Sequence, residues 1–113
     1  MSAHTLGSTS WEMPAPSGGS GIKVISGTGT CTASYDTGGS TFDLSSLFAS
    51  KVYYCSVNID NASFRAQWVP GTSNASSDMK IFVDDNAGTQ ASSTDDLSTT
   101  PGTFEWFAIG TDA

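Results

Sequence analysis

Basic residues are scarce in this 113-residue chain, which has four of them against eleven acidic residues and a formal net charge of -7. Lys23, Lys51, Arg65 and Lys80 are scattered along the chain rather than clustered. Because nucleic-acid binding depends on clustered lysine and arginine that neutralise phosphates, the sequence argues against a nucleic-acid partner. The length is that of one domain with a modest core.

Long apolar runs are absent as well. No stretch approaches the roughly 18 apolar residues that a membrane-spanning helix needs, so no membrane partner is expected. The N-terminus has neither a basic start nor an apolar segment, and a secretory signal is therefore not predicted. Leucine, a frequent helix residue, occurs only four times among abundant serine and threonine. This composition favours strands and turns over helices.

Residues suited to catalysis or metal binding are also few. His4 is the only histidine and lies in a segment expected to be a flexible arm, so neither a nucleophile-histidine arrangement nor a zinc site is predicted in the folded domain. We therefore expect no enzymatic activity and no cofactor. Cys31 and Cys55 lack metal-ligand spacing and fall on apolar phases of predicted strands, which favours two buried free thiols over a disulfide.

What the chain does have, from residue 22 onward, is short runs of alternating apolar and polar residues separated by Gly, Asn, Asp and Ser. Residues 51–60 are the longest strand candidate, and residues 63–69 return in phase after a turn, which predicts a hairpin. Six to eight such strands predict an all-β domain over residues 22–113, an antiparallel β-sandwich with a jelly-roll-like arrangement.

Three aromatic residues fall on the strand phase opposite the predicted core: Tyr54, Phe82 and Phe107. The last predicted strand, residues 103–109, is apolar on both phases, so it is either covered on both sides or presents one face to a partner. If the three aromatics share one sheet face, they form a subunit interface.

Residues 1–21 differ from the rest of the chain, because they have almost no charge and end in a Ser/Gly-rich stretch. We interpret them as an extended N-terminal arm that is disordered when alone. Trp11, Met13, Pro14 and Pro16 lie close together in this arm. A large aromatic in a polar tail usually anchors the tail on another molecule, so these four residues are predicted to contact another subunit.

Two other readings of polar and aromatic residues stay open. The stretch Asp84-Asp85-Asn86-Ala87-Gly88 has the oxygen-rich look of a calcium loop, but it fails the EF-hand pattern and reads more simply as a solvated turn. Tryptophans at positions 11, 68 and 106 suggest carbohydrate binding, although Trp68 and Trp106 are in phase with core residues.

An ordered series of short motifs runs through residues 27–110: Tyr35-Asp36-Thr37-Gly38-Gly39, Phe42-Asp43-Leu44-Ser45, Lys80-Ile81, Asp96-Leu97-Ser98 and a final strand from Phe104 to Gly110. This series resembles small virion structural proteins of tailed bacteriophages. The resemblance implies a non-enzymatic β-sandwich that decorates or cements the exterior of an icosahedral head. It also implies a homotrimer, the major capsid protein as partner, and assembly in the host cytoplasm. The alternative is a receptor- or glycan-binding β-domain of a head fibre or tail fibre.

Overall fold

Seven strands form two antiparallel sheets that pack together as a β-sandwich. The computed structural model describes residues 3–13, 22–59, 61–85, 88–92 and 94–112, and only the backbone of residues 10–13. The predicted fold class is thereby confirmed, while the jelly-roll arrangement stays a prediction. The strands are β1 (Thr5–Met13), β2 (Lys23–Thr30), β3 (Ser40–Thr41), β4 (Lys51–Ile59), β5 (Phe64–Val69), β6 (Lys80–Asp85) and β7 (Thr103–Thr111).

The larger sheet has the order β1-β2-β7-β4, and the smaller sheet has the order β3-β6-β5. The two central strands of the larger sheet alternate as the sequence predicts, because their inward positions are buried while their outward positions are not. No helix long and apolar enough to cross a membrane occurs in the part of the chain that the structure describes.

Glycines on β2 make room for large aromatic rings on β7. Gly27 pairs with Trp106 and Gly29 pairs with Phe104. A Cβ atom on Gly27 would lie 2.8 Å from the Trp106 ring, and one on Gly29 would collide with the Phe104 ring. The Trp106 indole nitrogen donates a hydrogen bond of 3.0 Å to the Thr28 carbonyl, which satisfies its one polar atom.

The core between the sheets is centred on aromatic residues. Phe42, which follows β3, packs edge to face against Phe104 with ring centroids 5.4 Å apart and against Trp106 at 6.0 Å. Such pairs add roughly 0.5–1.5 kcal/mol beyond the area that they bury. Cys31 and Cys55 are buried in the same core as free thiols, as predicted from their strand phase.

The predicted hairpin of β4 and β5 is wrong. β4 belongs to the larger sheet and pairs with β7, whereas β5 belongs to the smaller sheet and pairs with β6. The turn between them carries the chain from one sheet to the other, and there the Asn61 side chain accepts a hydrogen bond from the Ser63 amide. Alternation shows which side of a strand is buried but not which strand lies beside it, so the two topologies have the same sequence pattern.

The N-terminal segment also differs from the expected arm. Thr5–Met13 is the edge strand of the larger sheet, hydrogen-bonded antiparallel to β2. The pairing is irregular, because the register shifts between Leu6 and Thr9 and again between Thr9 and Trp11. Each shift interrupts the period-2 alternation, which is why this stretch showed no strand periodicity in the sequence. Residues 14–21, including Pro14 and Pro16 of the predicted contact set, lie outside the described residues.

His4, expected in the flexible arm, is instead buried in the domain, with only 4% of its surface exposed. Its backbone amide donates to the Thr41 carbonyl at 2.9 Å, and its ring packs edge to face against Phe104. The chain is therefore attached at His4 to the smaller sheet, while β1 is hydrogen-bonded within the larger one.

Candidate interaction surface

The outer face of the larger sheet is built around β7. Glu105, Phe107 and Ile109 point outward from this strand while the residues between them are buried. The register places Ile109 between Val24 of β2 and Tyr54 of β4. We call this surface, made by the outward residues of β2, β7 and β4, the outer face of the larger sheet.

Val24, Ile109 and Tyr54 form one row of outward residues across the three strands, and a second row runs parallel to it. Phe107 lies between Ser26 of β2 and Ser56 of β4, and its side chain is 38% exposed. Ile109 and Val24, which belong to the first row, are part-buried. They were not singled out from the sequence, although their apolar character on the outward phase of a strand was the available signal.

The backbone of β1 extends both rows. Trp11 is the register partner of Ser26, and Met13 is the register partner of Val24. Two of the residues predicted to contact a partner from the arm therefore occupy positions in the same rows as Phe107 and Tyr54. Their side chains are outside what the structure describes.

Tyr54 is exposed because of a bulge in β4. The pairing with β7 shifts between Val52 and Tyr54, so that Tyr53 and Tyr54 together oppose Ile109, and the two tyrosines are 49% and 53% exposed. Tyr54 also packs edge to face against Trp68 of the smaller sheet, with centroids 6.2 Å apart. A bulge of this kind re-aims side chains at the rim of a sheet, and here it turns one aromatic ring toward the join of the two sheets.

The outer face of the smaller sheet has a different chemistry. Phe82 lies there on β6, beside Gln67 and half-buried, rather than with Tyr54 and Phe107. The expectation that these three aromatics share one sheet face is therefore wrong for Phe82, because β6 belongs to the other sheet. Arg65 and Asp84 form an ion pair on this face, with nitrogen and oxygen 3.6 Å apart. This surface is polar and charged.

Charge is nearly absent from the outer face of the larger sheet. Glu105 and Lys51 are the two formally charged residues among the described outward positions of β2, β7 and β4, and their charges are opposite in sign. Lys23 belongs to the inward phase and forms an ion pair with Asp112, 2.9 Å away, while lying over the Phe48 ring. The Ala49 amide and Lys23 hold the pKa of the Asp112 carboxyl below its usual value.

A shallow depression of about 290 Å³ lies on this face beside Phe107. Its polar lining comes from Ser26, Ser56, Asn58 and Glu105. An aromatic ring beside hydroxyl, amide and carboxylate groups offers both apolar contact and hydrogen bonds to a bound molecule.

A second depression, of about 380 Å³, lies against the long polar loop that follows β6. Its carboxylates are engaged in holding the loop. Asp85 accepts a hydrogen bond from the Thr89 amide, and Asp95 accepts one from the Ser92 amide. The stretch 84–88, interpreted from the sequence as a solvated turn rather than a calcium loop, falls here, but Asn86 and Ala87 lie outside the described residues. Within the described ranges, no three His, Cys, Asp or Glu side chains are grouped as metal ligands.

The groups that catalysis most often uses are engaged or buried. The Thr32 amide donates to the Nδ1 atom of His4 at 3.1 Å, and the Nε2 atom lies 3.2 Å from the Ile81 carbonyl oxygen. Burial raises the pKa of the Cys31 thiol to about 11 and that of Cys55 to about 12, which disfavours the nucleophilic thiolate. Among the described residues, the feature that suggests a function is therefore the exposed apolar outer face of the larger sheet.

Comparison of the chain with protein-family models, with curated proteins and with solved structures finds no match.

Proposed function

We propose that this chain is a non-enzymatic virion structural protein that binds and stabilises a bacteriophage head from the outside. The observation on which this rests most is the difference between the two outer faces of the sandwich. One face holds an ion pair and polar side chains, whereas the other presents Phe107, Ile109 and Tyr54 with only two charged residues, which are opposite in sign. A domain with a complete core does not need such a face for its own folding, and apolar patches of this kind mark interaction sites.

The identity of the assembly comes from the sequence motifs. Their resemblance to small virion proteins of tailed phages supports the major capsid protein as partner, a homotrimeric state and a place on the capsid exterior. The small β-sandwich fits a decorating role, because it offers a broad sheet face rather than a deep cleft. No cofactor or metal enters this proposal.

The test is binding to heads that lack the protein. Purified chain is mixed with heads from the encoding phage from which the gene has been deleted, and bound protein is measured after sedimentation. We expect saturable binding at a fixed ratio to the capsid subunits, and higher thermal resistance of the decorated heads. Heads that already bear the protein are the matched control and should take up none. Absence of saturable binding to the deleted heads contradicts the proposal.

A glycan-binding fibre domain is the second candidate, and the depression beside Phe107 favours it. An exposed ring flanked by Ser26, Ser56, Asn58 and Glu105 provides a stacking surface and hydrogen-bonding groups for a sugar. In this case the chain binds a glycan panel, Phe107→Ala abolishes the signal, and deleted heads bind nothing. The two candidates therefore give opposite results in the two assays.

A further inference from the structure

We propose that the outer face of the larger sheet is the surface through which copies of this chain contact one another. This inference rests on the proposed assembly role, since it specifies one of the partners. Its occupant is a second copy of the chain, with Phe107 at the centre of the contact.

Exposed apolar side chains are concentrated on one sheet. Among the described residues, the large hydrophobic side chains that are well exposed are Ile22, Tyr53, Tyr54 and Phe107. Ile22 directly precedes β2, and the others belong to β4 and β7, so all four are part of the larger sheet or adjoin it. Phe82, the corresponding aromatic of the smaller sheet, is half-buried beside an ion pair. Removing apolar surface from water therefore favours contact through the larger sheet.

Charge selects a second copy over a basic partner. The chain has a net charge of -7, whereas the two charged residues among the described outward positions of β2, β7 and β4, Glu105 and Lys51, have opposite charges that cancel. A basic partner gains attraction from the acidic surfaces elsewhere and little from this face. Two copies of an acidic chain repel each other, and this repulsion is smallest where the contacting faces are neutral. The face is thus suited to contact the same neutral, apolar face of a second copy.

The dimensions of the face match a small protein interface. With β1 beside the three strands that define the face, the sheet is four strands wide, and strands about 4.8 Å apart with about 3.3 Å per residue give roughly 19 Å by 26 Å over eight residues, on the order of 500 Å². Small specific interfaces bury about 600 Å² per partner. The face is therefore large enough for a reversible association but not for one that persists at very low concentration.

The experiment measures the mass of the full 113-residue chain in solution. Sedimentation equilibrium is run between about 1 µM and about 1 mM, a range that covers weak association. We expect a rise from 11.7 kDa to a multiple of that mass. We also expect tighter association in about 0.5 M than in about 0.05 M salt, because salt screens the repulsion between like-charged copies.

Phe107→Lys is the test variant and Phe82→Lys is the matched control on the opposite sheet. Placing a charge at the centre of the contact should weaken association at least about tenfold, whereas the control should leave it unchanged. Ser56→Lys puts a charge beside Phe107 without removing the ring, and it should act as Phe107→Lys does. It takes over the test if circular dichroism shows that Phe107→Lys does not fold.

Three results overturn the proposal: a wild-type mass of 11.7 kDa at every concentration, equal effects of the Phe107 and Phe82 variants, or association that weakens as salt rises. A chain that stays monomeric yet decorates deleted heads refutes the contact between copies and leaves the proposed function standing. A chain that self-associates but binds no heads refutes the proposed function and leaves the contact between copies standing.

Discussion

Acid should destabilise the fold through His4. The Thr32 amide donates to Nδ1, so Nδ1 has no proton and Nε2–H donates to the Ile81 carbonyl. Adding a proton to Nδ1 would set two donors against each other in a buried site. That amide, that carbonyl and the Phe104 ring face the His4 ring, and none of these three groups titrates. Burial accordingly lowers the pKa of His4 from its ordinary 6.5, and the hydrogen bond to Ile81 only partly opposes this.

The sign and the limit of the effect follow from proton linkage. The unfolded chain binds a proton near pH 6.5, whereas the folded chain binds it only at lower pH. The contribution of His4 to stability is therefore complete above the unfolded pKa and is lost as the pH falls toward the folded one. With one group titrating, the loss cannot exceed about 1.4 kcal/mol per pH unit. The carboxyl groups of Asp78, Asp96 and Asp112 have lowered pKa values and so titrate below this window.

The assay is urea denaturation at closely spaced pH values from about 7.5 down to about 5.5, a window in which histidine titrates. His4→Phe is the matched control, since it keeps a ring but removes both hydrogen bonds. It should lower the free energy of unfolding by about 1–3 kcal/mol at neutral pH, because a buried amide and a buried carbonyl lose their partner. Its stability should then be flat across the window. A wild-type chain whose stability is equally flat, or rises on acidification, refutes the reasoning.

Two further predictions concern other buried groups. Cys31 and Cys55 should resist an alkylating reagent in the folded protein and both react in urea, since burial raises their thiol pKa values to about 11 and about 12; rapid labelling of either in native buffer contradicts this. Tyr35→Phe should lower the free energy of unfolding by roughly 1–3 kcal/mol, because the hydroxyl accepts from the Val83 amide and donates to Gln90; an unchanged urea midpoint shows that these bonds contribute nothing.

The sequence predicted the sandwich because its two central strands obey simple rules. Every second residue is buried from Ile25 to Gly29 in β2 and from Phe104 to Ala108 in β7, and two of these buried pairs join a glycine to a large ring. Such strands show their period in the sequence regardless of their partners. The same rule placed Cys31 and Cys55 in the core and Phe107 on the outside.

Where prediction failed, the missing information was non-local. β1 has two register shifts, so its side chains do not follow one alternation, and its strand character depends on hydrogen bonds to β2. His4 was placed in the arm because a lone histidine in a polar segment gives no sign of partners at Thr32 and Ile81. Phe82 and Phe107 have the same local pattern, and only the strand order assigns them to different sheets.

The predicted arm and the predicted interface turn out to concern one surface. Because β1 is the edge strand beside β2, the segment that contains Trp11 and Met13 widens the same sheet whose outer face presents Phe107. An edge strand has one neighbour in its sheet, so its attachment depends more than that of a central strand on other contacts. His4 supplies such contacts one residue before β1 begins, to Thr32 and Ile81. The width of the proposed contact surface therefore depends on a histidine that directly precedes this edge strand and bonds to Ile81 of the smaller sheet.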